Sequence, residues 1–239
     1  MSAGQVAEHD GGEARRPLDR AAIVHAALDA IDDSGAEGLT MRGLGQGLGV
    51  EAMSLYRYVT GREDILEAVV AHLLDGIKDR LDDELSGSWQ GYLQTLAHAV
   101  RQIAVDHPSA FPLVATRHPA TPWLRPPLRS LELVEDFLST LSGHGFDDEQ
   151  LVAAYRAFSS FLLGQLLLEA ATRGAATAPV EEPLDEGGAD IPQRDGEVDL
   201  REVPVIARLR SMLSEDHSDE EFEVGLETLL DRLELEMSQ

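Results

Sequence analysis

Ser54, Tyr56, Arg57 and Tyr58 crowd into five consecutive positions of the segment TMRGLGQGLGVEAMSLYRYV, residues 40–59. Hydroxyl, phenol and guanidinium groups at that density suit hydrogen bonds to base edges and phosphates rather than covalent chemistry. Ala52 and Met53 precede them, so the element that carries them starts on residues slim enough to approach a groove floor. Tyr56, Arg57 and Arg62 then stand at the rim, where phosphates lie.

Such groups work only on a rigid frame. Leu44, Leu48, Val50 and Leu55 supply a small apolar seam, Thr40 offers a side-chain cap, and Gly49 stands where a first short helix must stop in a left-handed conformation. The spacing predicts a helix-turn-helix over 40–59, with Ala52, Met53, Ser54, Tyr56 and Tyr58 pointing outward.

The flanks are helical as well. Ile23, Val24, Ala27, Leu28 and Ile31 recur at three- and four-residue steps behind a cap at Asp19, and Gly35 ends that helix. Thr60 and Glu63 read as a capping box opening a long helix with apolar residues from Ile65 to Ile77. Because it starts beside the reading element and ends beyond it, this helix is the natural mechanical link to the rest of the chain.

Further helices are expected at 88–106, 108–115, 121–143 (capped at Thr121 and Pro122) and 147–172 (opened by Asp147 and Gln150). A last one opens at a Ser218 to Glu221 box. The 147–172 helix is apolar nearly all round and so is expected to be buried on two sides, one of them a subunit interface. No strand pattern occurs, and the class is all-α.

The organisation expected is a disordered arm over 1–16, a DNA-binding domain over 17–77, and a ligand-binding and dimerisation domain over 78–239. A flexible acidic loop, 174–203, interrupts the last of these.

Composition excludes several chemistries. Cysteine is absent, which removes disulfides, thiolate metal sites and cysteine nucleophiles. No two histidines from His25 to His217 stand four residues apart, so no metal is expected, and no carboxylate pair stands with a nucleophile to suggest an enzyme. GLGQGLG, residues 43–49, has the spacing of neither phosphate-binding loop, so no nucleotide cofactor is expected. Its glycines at 43, 45 and 47 are each expected to weaken their helix by about 1 kcal/mol.

No signal peptide and no uninterrupted apolar run long enough for a bilayer is found, so the expectation is a soluble, cytoplasmic protein with no membrane partner. The formal net charge of −25 is awkward for a nucleic-acid binder and requires segregation. Arg15, Arg16, Arg20, Arg42, Arg57 and Arg62 gather near the reading element. Asp29, Asp32, Asp33 and Glu37 are expected to form a solvated back face.

Residues 18–75 resemble the DNA-binding domain of the TetR family of bacterial regulators. SWQGYLQTLAHAV, HPSAFPLVATRHP, GFDDEQLVAAYRAFSSFLLGQLLLE and FEVGLETLLDRLE resemble the C-terminal domain of the tetracycline repressor type. The resemblance implies a ligand-responsive repressor, homodimeric through the helices at 147–172 and 218–236, whose heads occupy successive major grooves of a pseudo-palindromic operator.

By position, it places contacts with double-stranded DNA on Thr40, Arg42, Ala52, Met53, Ser54, Tyr56, Tyr58 and Arg62, to which the rim reading adds Arg57. Positions matching the repressor's drug and magnesium ligands are Arg80, Leu96, Val100, Val114, Phe137, Ser160 and Leu168, so a tetracycline chelate has nothing to hold its metal. A largely apolar small-molecule effector is expected instead, in a pocket bordered by Leu96, Val100, Phe111, Val114, Trp123, Phe137, Ser160 and Leu163. The alternative is a helical small-molecule-binding protein without operator binding. Alanine at Arg42, Tyr56 and Arg62 together separates the two.

Overall fold

A computed structural model of the chain describes residues 18–75, 77, 87–116, 123–175, 205, 208–209 and 217–237. Among these residues the regular structure is helical, with no strand. The expected arm over 1–16, most of the acidic loop, the Thr121–Pro122 cap, and Arg80 lie outside the described residues.

The head is built from four helices: α1 (Arg20–Gly38), α2 (Met41–Gly47), α3 (Ala52–Leu55) and α4 (Arg62–Leu74). The Asp19 carboxylate caps α1 by accepting from the Ala22 N–H at 2.7 Å. Gly35, at φ 75°, breaks the helix where the sequence places its end, and one further turn runs on to Gly38. Thr40 caps α2 by accepting from the Gly43 N–H at 3.0 Å. Ile23, Ala27, Ile31, Leu55, Ile65 and Val69 are fully buried and form the centre of the head.

The entry to α4 differs from the expected capping box. Gly61 occupies the cap position, and Asp64 rather than Glu63 reaches back, its carboxylate accepting from the Thr60 N–H at 2.7 Å. Asp64 also receives the Arg20 guanidinium, with N···O distances of 2.5 and 3.2 Å. Arg20 and the Thr60 N–H together hold the Asp64 carboxyl at about 2, well below the usual carboxylate range.

The core is formed by α5 (Trp89–Asp106), a 3-10 turn (Phe111–Leu113), α6 (Leu131–Gly143), α7 (Asp148–Thr172) and α8 (Ser218–Met237). Ser88 caps α5 and Ser130 caps α6, while Asp147 and Gln150 form the expected box at α7. Two expectations need correction. The 108–115 segment makes only a 3-10 turn, and the 121–143 helix starts ten residues late, at Leu131. Pro126 and Pro127 explain the delay, since each disfavours helical conformation at the residue before it. The last helix takes Ser218 as its own first residue.

The α7 helix is the spine of the core, packed on α5, α6 and α8. By length and composition alone it is apolar enough to cross a membrane, although Arg156 and Glu169 interrupt its apolar run. It instead buries Phe158, Leu162, Leu166 and the charged Glu169 against protein. Glu169 is 3% exposed and accepts from Arg101 at 3.0 and 2.9 Å and from Arg173 at 3.2 Å. Arg101 also pairs with Asp219 of α8, so one buried carboxylate knits α5, α7 and α8 together. A Cβ on Gly225 would stand 2.6 Å from the Phe161 ring, which lets α8 settle closely onto α7.

Candidate functional site

The reading surface rests on a very tight corner. Gly49, at φ 68°, turns the chain from α2 into the segment before α3. Gly45 is buried beneath that corner: a Cβ there would lie 2.9 Å from the Val50 carbonyl oxygen and 3.1 Å from the Ala52 nitrogen. The two short helices can therefore touch backbone to backbone. Sequence reading counted Gly45 only as a helix weakener. Its role in closing the motif emerges from the contact.

Leu55 is fully buried under α3, and this fixes which residues face out. Met53 is 74% exposed, Tyr56 and Tyr58 are also exposed, and Arg57 and Arg42 project into solvent. Ala52 and Ser54 are half-buried, and Thr40 is exposed while its hydroxyl caps α2. The structure thus brings Ala52, Met53, Ser54, Tyr56, Arg57 and Tyr58 onto one short element, with Arg42 on the helix before it.

Arg62 does not join them as a free cation. Its Nε donates to the Leu39 carbonyl at 3.1 Å and its Nη2 to the Ala36 carbonyl at 2.7 Å, which ties α4 to the end of α1. At the end of α1 the Ala36 carbonyl already accepts the Leu39 N–H at 3.2 Å, and the guanidinium from α4 adds a second donor there and one on the Leu39 carbonyl. Arg20, bonded to Asp64 and to the Tyr58 carbonyl, is likewise a fastening. Among the described residues of the head, Arg42 and Arg57 are the arginines left for phosphates. Asp32 also departs from expectation: it is no part of a solvated face, since it pairs at 2.7 Å with His107 at the end of α5.

Within the core, a small cavity of about 30 Å³ lies between α5, α6 and α7. Leu96 and Val100 line it from α5, Leu133, Val134 and Phe137 from α6, and Tyr155, Phe158, Ser159, Leu162 and Leu163 from α7. Val114 and Leu128 close it. The lining is apolar apart from two hydroxyls. Tyr155 donates to the Pro126 carbonyl at 2.9 Å, and burial pushes its pKa up, an effect partly offset by Ser159, so it stands as a neutral phenol.

Of the residues expected at the pocket, Leu96, Val100, Val114, Phe137 and Leu163 line this cavity, and three do not. Trp123 is 72% exposed, because the proline-bearing segment that holds it is loop and not the first turn of a helix. Ser160 is exposed and its neighbour Ser159 faces the cavity, because a helix apolar on nearly every side does not reveal its phase. Phe111 is fully buried but packs in the surrounding core. Leu168 is exposed on the outer face of α7. Tyr155 and Phe158 belonged to the same apolar stretch in sequence, without a signal to separate wall from filler. No set of three histidine or acidic side chains converges as a metal site among the described residues.

Comparison with known proteins agrees with this architecture. The family model for the tetracyclin repressor-like C-terminal domain matches residues 82–237. The tetracycline repressor protein class D of Escherichia coli is 26% identical over 221 residues, 92% of this chain and 91% of that protein. A possible TetR family transcriptional regulator from Streptomyces coelicolor A3(2) superimposes with a TM-score of 0.69 at 30% identity, over 91% of this chain and 99% of that one. The TetR family protein ActR of Streptomyces coelicolor, solved in complex with actinorhodin, does so with a TM-score of 0.65 at 24% identity, over 94% and 100% of the two chains. With the family's C-terminal domain matched along the whole core and a helix-turn-helix head in front of it, the chain belongs to the TetR family of transcriptional regulators.

Proposed function

We propose that the protein is a repressor that binds a pseudo-palindromic operator as a homodimer and leaves it when a small, largely apolar effector fills the cavity. The observation that carries the reading is the exposed array Met53, Tyr56, Arg57 and Tyr58, held out from a rigid corner whose only large buried anchor on α3 is Leu55. Such an element fits a major groove, and two of them in a dimer fit half-sites about 34–36 Å apart.

The effector class follows from the walls. No carboxylate or imidazole lines the cavity, and at about 30 Å³ it must widen between α6 and α7 to take an effector. Tyr155 and Ser159 offer one polar end to an otherwise apolar molecule, and a metal chelate finds no ligand there. Val152 and Leu168 on α7 and Val224 and Leu235 on α8 are exposed apolar groups on the two helices expected to pair with a second copy.

The test uses duplexes selected by the purified protein from a random library. Because Arg62 is a structural tie, the informative triple variant is Arg42→Ala, Tyr56→Ala, Arg57→Ala. It should lose duplex binding while keeping its fold and its uptake of N-phenyl-1-naphthylamine, a neutral apolar fluorophore. Uptake of the fluorophore by a wild-type protein that enriches no duplex would favour the binding-protein alternative.

A further inference from the structure

We propose that Arg129 is the residue through which occupation of the cavity reaches the DNA-binding head. The inference rests on the effector reading above and assigns the coupling to one side chain.

Arg129 is 7% exposed and stands immediately before the Ser130 cap of α6. Its backbone belongs to the cavity wall: the preceding residue, Leu128, lines the lumen, and the Arg129 N–H donates at 3.1 Å to the carbonyl of Val114, which also lines it. Its side chain points the other way, into the head. Nη2 donates at 3.1 Å to Glu63 in the first turn of α4, with Glu67 one turn on at 3.9 Å, and Nη1 donates at 3.1 Å to the Thr116 hydroxyl.

Glu63 adjoins Arg62, whose guanidinium grips the Leu39 carbonyl one residue before the Thr40 cap of α2. A continuous chain of contacts therefore runs from the cavity wall through Arg129 and α4 to the start of the helix-turn-helix.

Continuity alone is not coupling; a two-state element is needed. Arg129 has the properties of one. Its charge is buried, yet the carboxylates that balance it are largely solvated, so withdrawal leaves Glu63 and Glu67 hydrated at small cost. Its Nε–H is buried without an acceptor, so the present arrangement leaves a donor unsatisfied and a shifted arrangement that satisfies it competes. An effector that parts Val114 from Leu128 moves the Arg129 backbone directly, and the ion pair to α4 is what that movement strains.

The experiment compares wild type with Glu63→Gln, an exposed conservative change, and Arg129→Met. Duplex affinity is measured with and without saturating N-phenyl-1-naphthylamine. In wild type the fluorophore should weaken duplex binding by about tenfold, within the usual range of coupling factors. In both variants that factor should fall to about twofold or less while fluorophore affinity changes less than about twofold. Arg129→Lys, which keeps the charge, should recover part of the factor.

A wild-type coupling factor retained in Glu63→Gln overturns the assignment to Arg129 and leaves the effector reading standing. A wild-type protein that binds the fluorophore with no change in duplex affinity overturns both.

Discussion

The head and the core solve opposite problems. The head displays polar groups and must not move them, so around its apolar centre a set of specific contacts fixes the backbone: Gly45 under Val50, Thr40 on α2, Asp64 on Thr60, Arg62 on α1. The core must admit a ligand, so its long helices enclose space that their side chains leave unfilled. Rigidity in the head comes from polar and glycine detail. Adaptability in the core comes from interchangeable apolar walls. A single substitution should consequently be far more damaging to function in the head than among the walls.

The largest effect expected is at Gly45. Gly45→Val forces a branched side chain against the Val50 carbonyl and the Ala52 nitrogen. It should cost the head about 3 kcal/mol and abolish duplex binding while fluorophore uptake by the core persists. Gly47, where a Cβ meets nothing within 4 Å, is the control: Gly47→Ala should stabilise the head by about 1 kcal/mol in thermal unfolding, with duplex binding kept.

The core has one polar joint that behaves like the head. Arg101→Met leaves the buried Glu169 with Arg173 alone. Unfolding by denaturant should show a loss of about 3 kcal/mol, since an under-compensated buried carboxylate costs more than the ion pair contributed.

Next in size is the split between Arg57 and Arg62. Arg57→Ala should weaken duplex binding about tenfold and reduce the slope of log K against log salt by about 2 for a dimer, with unfolding unchanged. Arg62→Ala should lower the stability of the head instead. The reverse pattern in these two variants would place the phosphate contact on Arg62.

The smallest effect is acid sensitivity in the head. The Asp64 pKa is lowered from 3.8 to about 2 in the folded protein, so its contribution is fully present above the unfolded value and is lost as pH falls through about 2. With Arg20 half exposed, that contribution is about 1 kcal/mol after screening. Asp64→Asn should remove it at neutral pH and flatten the acid limb of a stability profile.

This contrast also explains what could be read from sequence. The head was legible down to its caps because Asp19, Thr40, Gly35 and Gly49 are each selected by a local backbone need that the residue type announces. The Thr60 and Glu63 box misled because two adjacent acids compete for one capping role, and Arg20, remote in sequence, favours Asp64.

The cavity was only half legible. A leucine that lines a void and one that fills a core are the same residue at the same spacing, and Ser159 and Ser160 differ only in phase on a helix apolar all round. Arg129 carried no signal at all, because its partners, Glu63, Thr116 and Val114, are brought together by the fold.

The most direct test of the account is footprinting of the purified protein on duplexes it has enriched from a random library at low ionic strength. The account predicts two protected half-sites whose centres lie about 10 base pairs, or a small multiple of that, apart, with protection lost on alanine substitution of Tyr56 and Arg57. Failure to enrich any duplex, or protection that persists unchanged in that double variant, would contradict it.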